Sequence, residues 1–137
     1  MADAVRKVGY FAMEVPNKPG EGARVLAALA AAGVNLLAFT GFPSSRKSQI
    51  DMIPENVEVF KAAAKAAKLK LRPQKFGILV QGVDRKGAIA DMLKTLAAKK
   101  INVIAIDALS AGAGRYAAII WVASKDTSKA AKALEAV

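Results

Sequence analysis

Asn17-Lys18-Pro19-Gly20 opens an Ala/Leu-rich stretch that closes at Gly33-Val34-Asn35, and Asp84-Arg85-Lys86-Gly87 opens another that closes at Lys100-Ile101-Asn102. Matched positions lie 67 residues apart, and aligning 17–41 on 84–108 without a gap gives eight identities. Ala-rich helices coincide readily, so the weight falls on the Gly that opens each stretch, Gly20 and Gly87, and the Asn that closes it, Asn35 and Asn102. Together they predict a duplicated strand-loop-helix-strand unit.

Working outward, residues 7–15 (KVGYFAMEV) are β-branched and aromatic with partial alternation, which predicts a strand stopped by Pro16. Pro19 stands just before a helix over residues 20–32, and Gly33 suits a left-handed C-terminal cap. Two strands follow at 36–42 and 48–53, joined by a polar turn over 43–47. A helix over 57–68 comes next, with Val59, Phe60, Ala63 and Ala67 inward, and then a short strand at 69–72. The second copy repeats strand (76–83), helix (87–99) and strand (103–109). A turn over 111–114 leads to a strand at 116–123, and Asp126-Thr127-Ser128 caps a last helix carrying Ala130, Ala133, Leu134 and Val137. The order predicts an α+β chain of two tandem ferredoxin-like βαββαβ modules, residues 1–73 and 74–137, the second lacking its last strand. That missing strand leaves an open sheet edge, which another element or a partner chain is expected to cover.

The chain has 137 residues, 54% hydrophobic but only 6% aromatic, so the core is expected to be built mostly from Ala, Val, Leu and Ile. A module of half that length is marginal alone, so side-by-side packing of modules or chains is expected. Cys and His are both absent. Disulfides, thiolate metal sites, Cys nucleophiles and imidazole catalysis go with them, and no catalytic residue, metal ligand or cofactor is expected. Neither a signal-peptide run nor a membrane-spanning apolar run is present, so a soluble, cytoplasmic protein with no membrane partner is expected. The formal charge of +10 favours anionic partners, yet the lysines are spread at solvent-facing spacing over several helices, as a solvated basic surface requires.

A Gly-opened helix following a strand presents unpaired amides and the positive end of the helix dipole. Asn17 beside it offers both donor and acceptor, as an amino-acid zwitterion would use. The competing reading makes Asn17 and Asp84 helix-entry turn residues and Asn35 and Asn102 strand-entry residues. The combination Asn17-Lys18-Pro19-Gly20 with Gly33-Val34-Asn35 resembles the ACT domain, the small-molecule-sensing βαββαβ module of amino-acid metabolism. The resemblance covers nearly the whole chain as two copies. It implies modules paired side by side through their sheets, with an amino-acid effector between them. The implied ligand positions are Asn17, Pro19, Gly20, Asn35 and Leu36, with Asp84, Gly87 and Asn102 as the second copy's counterparts. That copy departs from the pattern: Asp84 replaces Asn17, Lys86 replaces Pro19 and Lys100 replaces Gly33. The first loop is therefore expected to be the principal contact. The whole reads as a stand-alone, non-enzymatic regulatory protein that binds an amino acid or similar metabolite and acts through homodimerisation or a regulated partner.

Particular residues bear on three alternatives. A dinucleotide fingerprint fails because Val25 stands at the third Gly position and no Asp or Glu lies between Gly22 and Arg46. A nucleic-acid module of ferredoxin-like fold would account for the charge, but residues 75–78 and 7–11 lack the alternating aromatic pair that stacks bases. An ACT-like interaction module without a ligand remains the third.

Overall fold

The computed structural model describes residues 3–137. Its elements run β1 (Ala4–Pro16), α1 (Glu21–Ala31), β2 (Leu36–Ser44), β3 (Lys47–Pro54), α2 (Val57–Ala66), β4 (Lys75–Val83), α3 (Ala88–Ala98), β5 (Val103–Gly112), β6 (Arg115–Val122), a 3-10 turn (Ser124–Asp126) and α4 (Thr127–Ala133). The result is α+β with the ferredoxin-like βαβ order repeated. Two compact units arise: Gly9–Lys75, here the first module, and Phe76–Val137 together with the residues up to Val8, here the second. Among the described residues no helix is long and apolar enough to cross a membrane.

In the first module β3 lies between β2 and β1, antiparallel to both, with Phe39 opposite Met52 and Phe11 opposite Met52 from the other side. The predicted turn over 43–47 is tighter than five residues, since the ladder continues to the pair Ser44–Lys47 and leaves a two-residue hairpin turn. Alternate residues Phe11, Met13 and Val15 of β1 meet Val25 and Leu29 of α1 and Phe60 and Ala63 of α2. Phe11 and Phe60 stack with centroids 4.9 Å apart. Helix α2 is entered by Asn56, whose side chain accepts from the Val59 amide at 3.0 Å. Its inner face is Phe60, Ala63 and Ala64, whereas Val59 and Ala67 are exposed, so the expected face is rotated toward Ala64. The expected strand at 69–72 does not form a ladder. One backbone bond, from Arg72 N–H to the Ala12 carbonyl at 2.8 Å, aligns it with β1 while Leu69 and Leu71 pack on the core.

The second module repeats the pattern with β6 between β4 and β5, Ile120 facing Ile78 on one side and Ile106 on the other. Met92 and Leu96 of α3 and Ala130 and Ala131 of α4 cover Ile78, Val80, Ala118 and Ile120. The residues after α4 add no strand. The place beside β4 is taken by the start of β1: Val5 is buried in this core, and its carbonyl accepts from the Val137 amide at 3.0 Å. The open edge is thus covered by a strand from the far end of the sequence, and β1 is longer than residues 7–15 because its first residues serve this core. Asp126 makes no side-chain cap on α4; the Thr127 hydroxyl bonds back to the Ala123 carbonyl at 3.4 Å, and Val137 is fully exposed.

Candidate ligand-binding site

Both Gly-opened loops have one backbone shape. Gly20 and Gly87 are the N-terminal caps of α1 and α3, with φ of 88° and 81° respectively, in the left-handed region that glycine alone enters freely. Neither helix receives a side-chain cap, so first-turn amides point toward whatever occupies the loop. At the helix ends the two copies also agree in shape although their residues differ: Gly33 has φ of 82° and Lys100 has φ of 57°. Lys100 holds the left-handed turn against the clash of its own Cβ.

Each loop borders a cleft. The first, about 270 Å³, is walled by Lys18, Glu21 and Gly22 on the loop side and by Phe39, Phe42 and Ser48 from the hairpin. Asn17, Pro19, Gly20, Asn35 and Leu36 do not line it. The Asn17 side-chain oxygen accepts from the Ser48 hydroxyl at 3.1 Å, and the Asn17 amide bonds the Arg46 carbonyl at 3.3 Å. Glu21, paired with Arg24 at 3.1 Å, places a carboxylate at the start of α1. The second cleft is larger, about 350 Å³, and Asp84 and Gly87 do line it, with Arg85, Ala88, Ser110 and Tyr116. Asp84 accepts from the Ser110 hydroxyl at 3.1 Å, and its amide bonds the Gly114 carbonyl at 2.9 Å. Here Ala88 occupies the position of Glu21, so the first acidic residue of α3 is Asp91.

Within one module the Asn that closes the helix is remote from the loop. Asn35 precedes β2 where Leu36 pairs with Pro54, and Asn17 follows β1 where Pro16 pairs with Lys47. The length of β3 separates them, roughly 20 Å at about 3.3 Å per residue. Asn35 donates to Glu55 at 3.2 Å, and its carbonyl accepts the Glu55 amide at 2.9 Å, a partner that its sequence neighbours did not indicate. Asn102 stands likewise before β5, where Val103 pairs with Val122.

Arg85, Ser110 and Tyr116 were not among the expected ligand positions. Arg85 was legible as part of the quoted loop. Tyr116 was visible only as the one polar aromatic at the start of an apolar strand. Asp3 carried no signal at all, yet its carboxylate accepts from Tyr116 at 2.6 Å and from both terminal nitrogens of Arg85 at 3.2 and 3.3 Å. Burial pushes the Asp3 pKa up, but hydrogen bonds from Arg85 and Tyr116 and the Arg85 charge outweigh it and leave it below the ordinary value. Burial and then the Asp3 bond push Tyr116 up to about 12. Phe11, one of the aromatics a base-stacking surface would have used, is in the core. Among the described residues no group of three or more acidic side chains could hold a metal ion.

The fold and its two Gly-opened loops define a protein of small ferredoxin-like modules with ligand-sized clefts beside uncapped helix starts. Residues 77–137, the second module, match the family model of the ACT domain. No curated protein matches the chain. Among solved structures it is similar to protein BT0572 from Bacteroides thetaiotaomicron, with a TM-score of 0.81 at 17% identity over 96% of this chain and 88% of that one. It is also similar to the regulatory subunit of aspartate kinase from Thermus thermophilus, ligand-free form (TM-score 0.66, 19% identity, 98% and 95% covered). The corresponding subunit from Thermus flavus gives 0.58 at 19% identity, with the same coverage. At such identities the likeness is one of fold.

Proposed function

We propose that this protein is a non-enzymatic regulator that binds an amino acid or similar small zwitterion at its Gly-opened loops. The observation carrying this reading is the recurrence of an uncapped, left-handed Gly at the start of a helix beside a cleft, twice in one chain whose second module matches the ACT-domain family. Helix-start amides suit a ligand carboxylate, while Asn17 and Asp84 suit its ammonium group. Because Asn17 and Asn35 lie at opposite ends of the same module, a site using both takes one from each of two copies of the chain. A ligand there favours the paired state by its differential affinity for it, which turns binding into a change of assembly or of partner affinity. The role fits the regulatory subunits of aspartate kinase that share the fold.

The test is a thermal-shift screen against the twenty amino acids, with nucleotides as controls, followed by gel filtration with and without the ligand found. One amino acid or a chemically related group is expected to raise Tm in a saturable manner. Asn17→Ala and Asn35→Ala are then each expected to weaken binding by about 1–3 kcal/mol. Tight RNA or DNA binding at physiological salt with no response to any amino acid would replace this reading by the nucleic-acid one.

A further inference from the structure

We propose that Arg85, Tyr116 and the open backbone at Gly82 form a carboxylate-binding site whose resident occupant is the chain's own Asp3, so that a free carboxylate and the start of β1 compete for one guanidinium. The geometry is that of a recognition site. Both terminal nitrogens of Arg85 reach the two Asp3 oxygens, the fork-to-fork arrangement in which guanidinium and carboxylate fit best. The Tyr116 hydroxyl donates a third bond to the same carboxylate at 2.6 Å. Gly82, opposite Tyr116 in the β4–β6 ladder, lets the carboxylate sit against the sheet, because a Cβ there would collide with it.

The first module shows that the fold does not require this cradle. At the equivalent ladder pair it has Val15 and Ser48, and at the equivalent loop position Lys18. Val15 would block the approach, Ser48 has no ring to carry its hydroxyl across, and Lys18 has no fork. Matched strands, helix and glycine cap form there all the same. What the second module adds is therefore specific to an anion at this place.

Arg85 is also the residue through which an occupant can be exchanged. It lines the 84–87 cleft on one side and, on the other, the groove holding Asp3 and Val5, and its side chain is 42% exposed where that of Asp3 is 13% exposed. Asp3 competes as a tethered ligand with an effective concentration in the millimolar range, so a free carboxylate displaces it only when the rest of the ligand adds contacts in the cleft. Displacement frees Asp3 and with it the attachment of Ala4 and Val5 beside β4. Binding at the loop and ordering of the strand start are thereby opposed.

Asp3→Ala empties the cradle, and formate and acetate serve as probes with chloride as the ionic control. Melting temperature and the Arg85 side-chain NMR signal are the readouts. Asp3→Ala is expected to melt lower than the parent and to regain stability saturably with formate, while the parent responds equally to formate and chloride. Adding Tyr116→Phe or Arg85→Lys to Asp3→Ala is expected to abolish the recovery. Should Asp3→Ala not fold, Asp3→Asn keeps the side chain in place, and acetate is then expected to shift the Arg85 signal at about tenfold lower concentration than in the parent. Equal responses to formate and chloride in Asp3→Ala, or equal acetate titrations in Asp3→Asn and the parent, would overturn the proposal.

Discussion

The loop at 17–20 and the loop at 84–87 share a backbone and differ in almost every side chain that faces their clefts. Both begin their helices from a left-handed glycine with no side-chain cap. Around that shared frame the first loop has a neutral Asn17, a Glu21 at the helix start and a Ser48 across the ladder. The second has an acidic Asp84, an apolar Ala88 and a Tyr116. Duplication has kept what the fold needs, the turn at Gly20 and Gly87 and the buried leucines Leu29 and Leu96, and has let the recognition chemistry separate. The Gly33 position, which looks like a loss in the second copy, is a loss of residue type only, because Lys100 reproduces the left-handed turn that Gly33 makes. Degeneracy of motif in the second copy is accordingly no measure of its capacity to bind, and its cleft is the larger and more polar-walled of the two.

Matched substitutions in the two modules probe this difference. The largest effect is expected from Leu29→Ala and Leu96→Ala, equivalent and essentially fully buried, each costing about 3 kcal/mol in urea unfolding if the modules are equally dependent on their cores. A loss for one several times that for the other would show that one module carries the stability. Next comes Tyr116→Phe, which leaves Asp3 short of a charge-assisted bond and should cost about 1–2 kcal/mol. Ser48→Ala, its counterpart in the first module, removes an exposed bond to Asn17 and should cost about 0.5 kcal/mol. Similar losses for these two would erase the asymmetry between the modules.

The third pair has opposite signs. Gly33→Ala forces a Cβ into the left-handed region and should destabilise by about 1 kcal/mol, while Lys100→Gly should stabilise by a comparable or smaller amount. Stabilisation absent in Lys100→Gly would mean that its side chain makes up for the strain. The smallest effects are those of pH. Asp3 is depressed in the folded state, so its contribution is present above the unfolded carboxylate range and fades as pH falls through the lower folded value. Tyr116 is raised to about 12, so its contribution is complete below the unfolded value near 10 and fades as pH climbs toward 12. Both slopes should vanish in a Tyr116→Phe, Asp3→Ala double variant. A parent and double variant with identical pH–stability curves would remove the electrostatic role assigned to this pair.

Much of the fold was legible because its signals are local. The duplicated Gly and Asn, the periodic leucines of α1 and α3 and the Gly-Pro punctuation each act within a turn or two of backbone, and they located the helices and most strands to within a few residues. The short ladder expected at 69–72 was misplaced for the converse reason. A strand exists only where a neighbour has free hydrogen-bonding groups, and Arg72 finds a single one at Ala12. Among the candidate residues, Asp84 and Gly87 stand on a cleft, while Asn17 and Asn35 are engaged with Ser48 and Glu55. Engagement of an exposed side chain with its neighbour depends on tertiary placement that sequence spacing does not encode.

Local signals in the sequence thus suffice for a duplicated βαβ frame, helices opened by glycines, largely aliphatic cores, and the absence of thiol and imidazole chemistry. That residues 4–8 supply the strand missing from the second module, and that Asp3 meets Tyr116 across 113 positions of chain, follows from long-range packing. Local propensity is written in side chains a few bonds apart. The pairing of sheet edges and the filling of a guanidinium's fork are settled by whichever distant group completes the unsatisfied surface, and that choice is made only when the chain has folded.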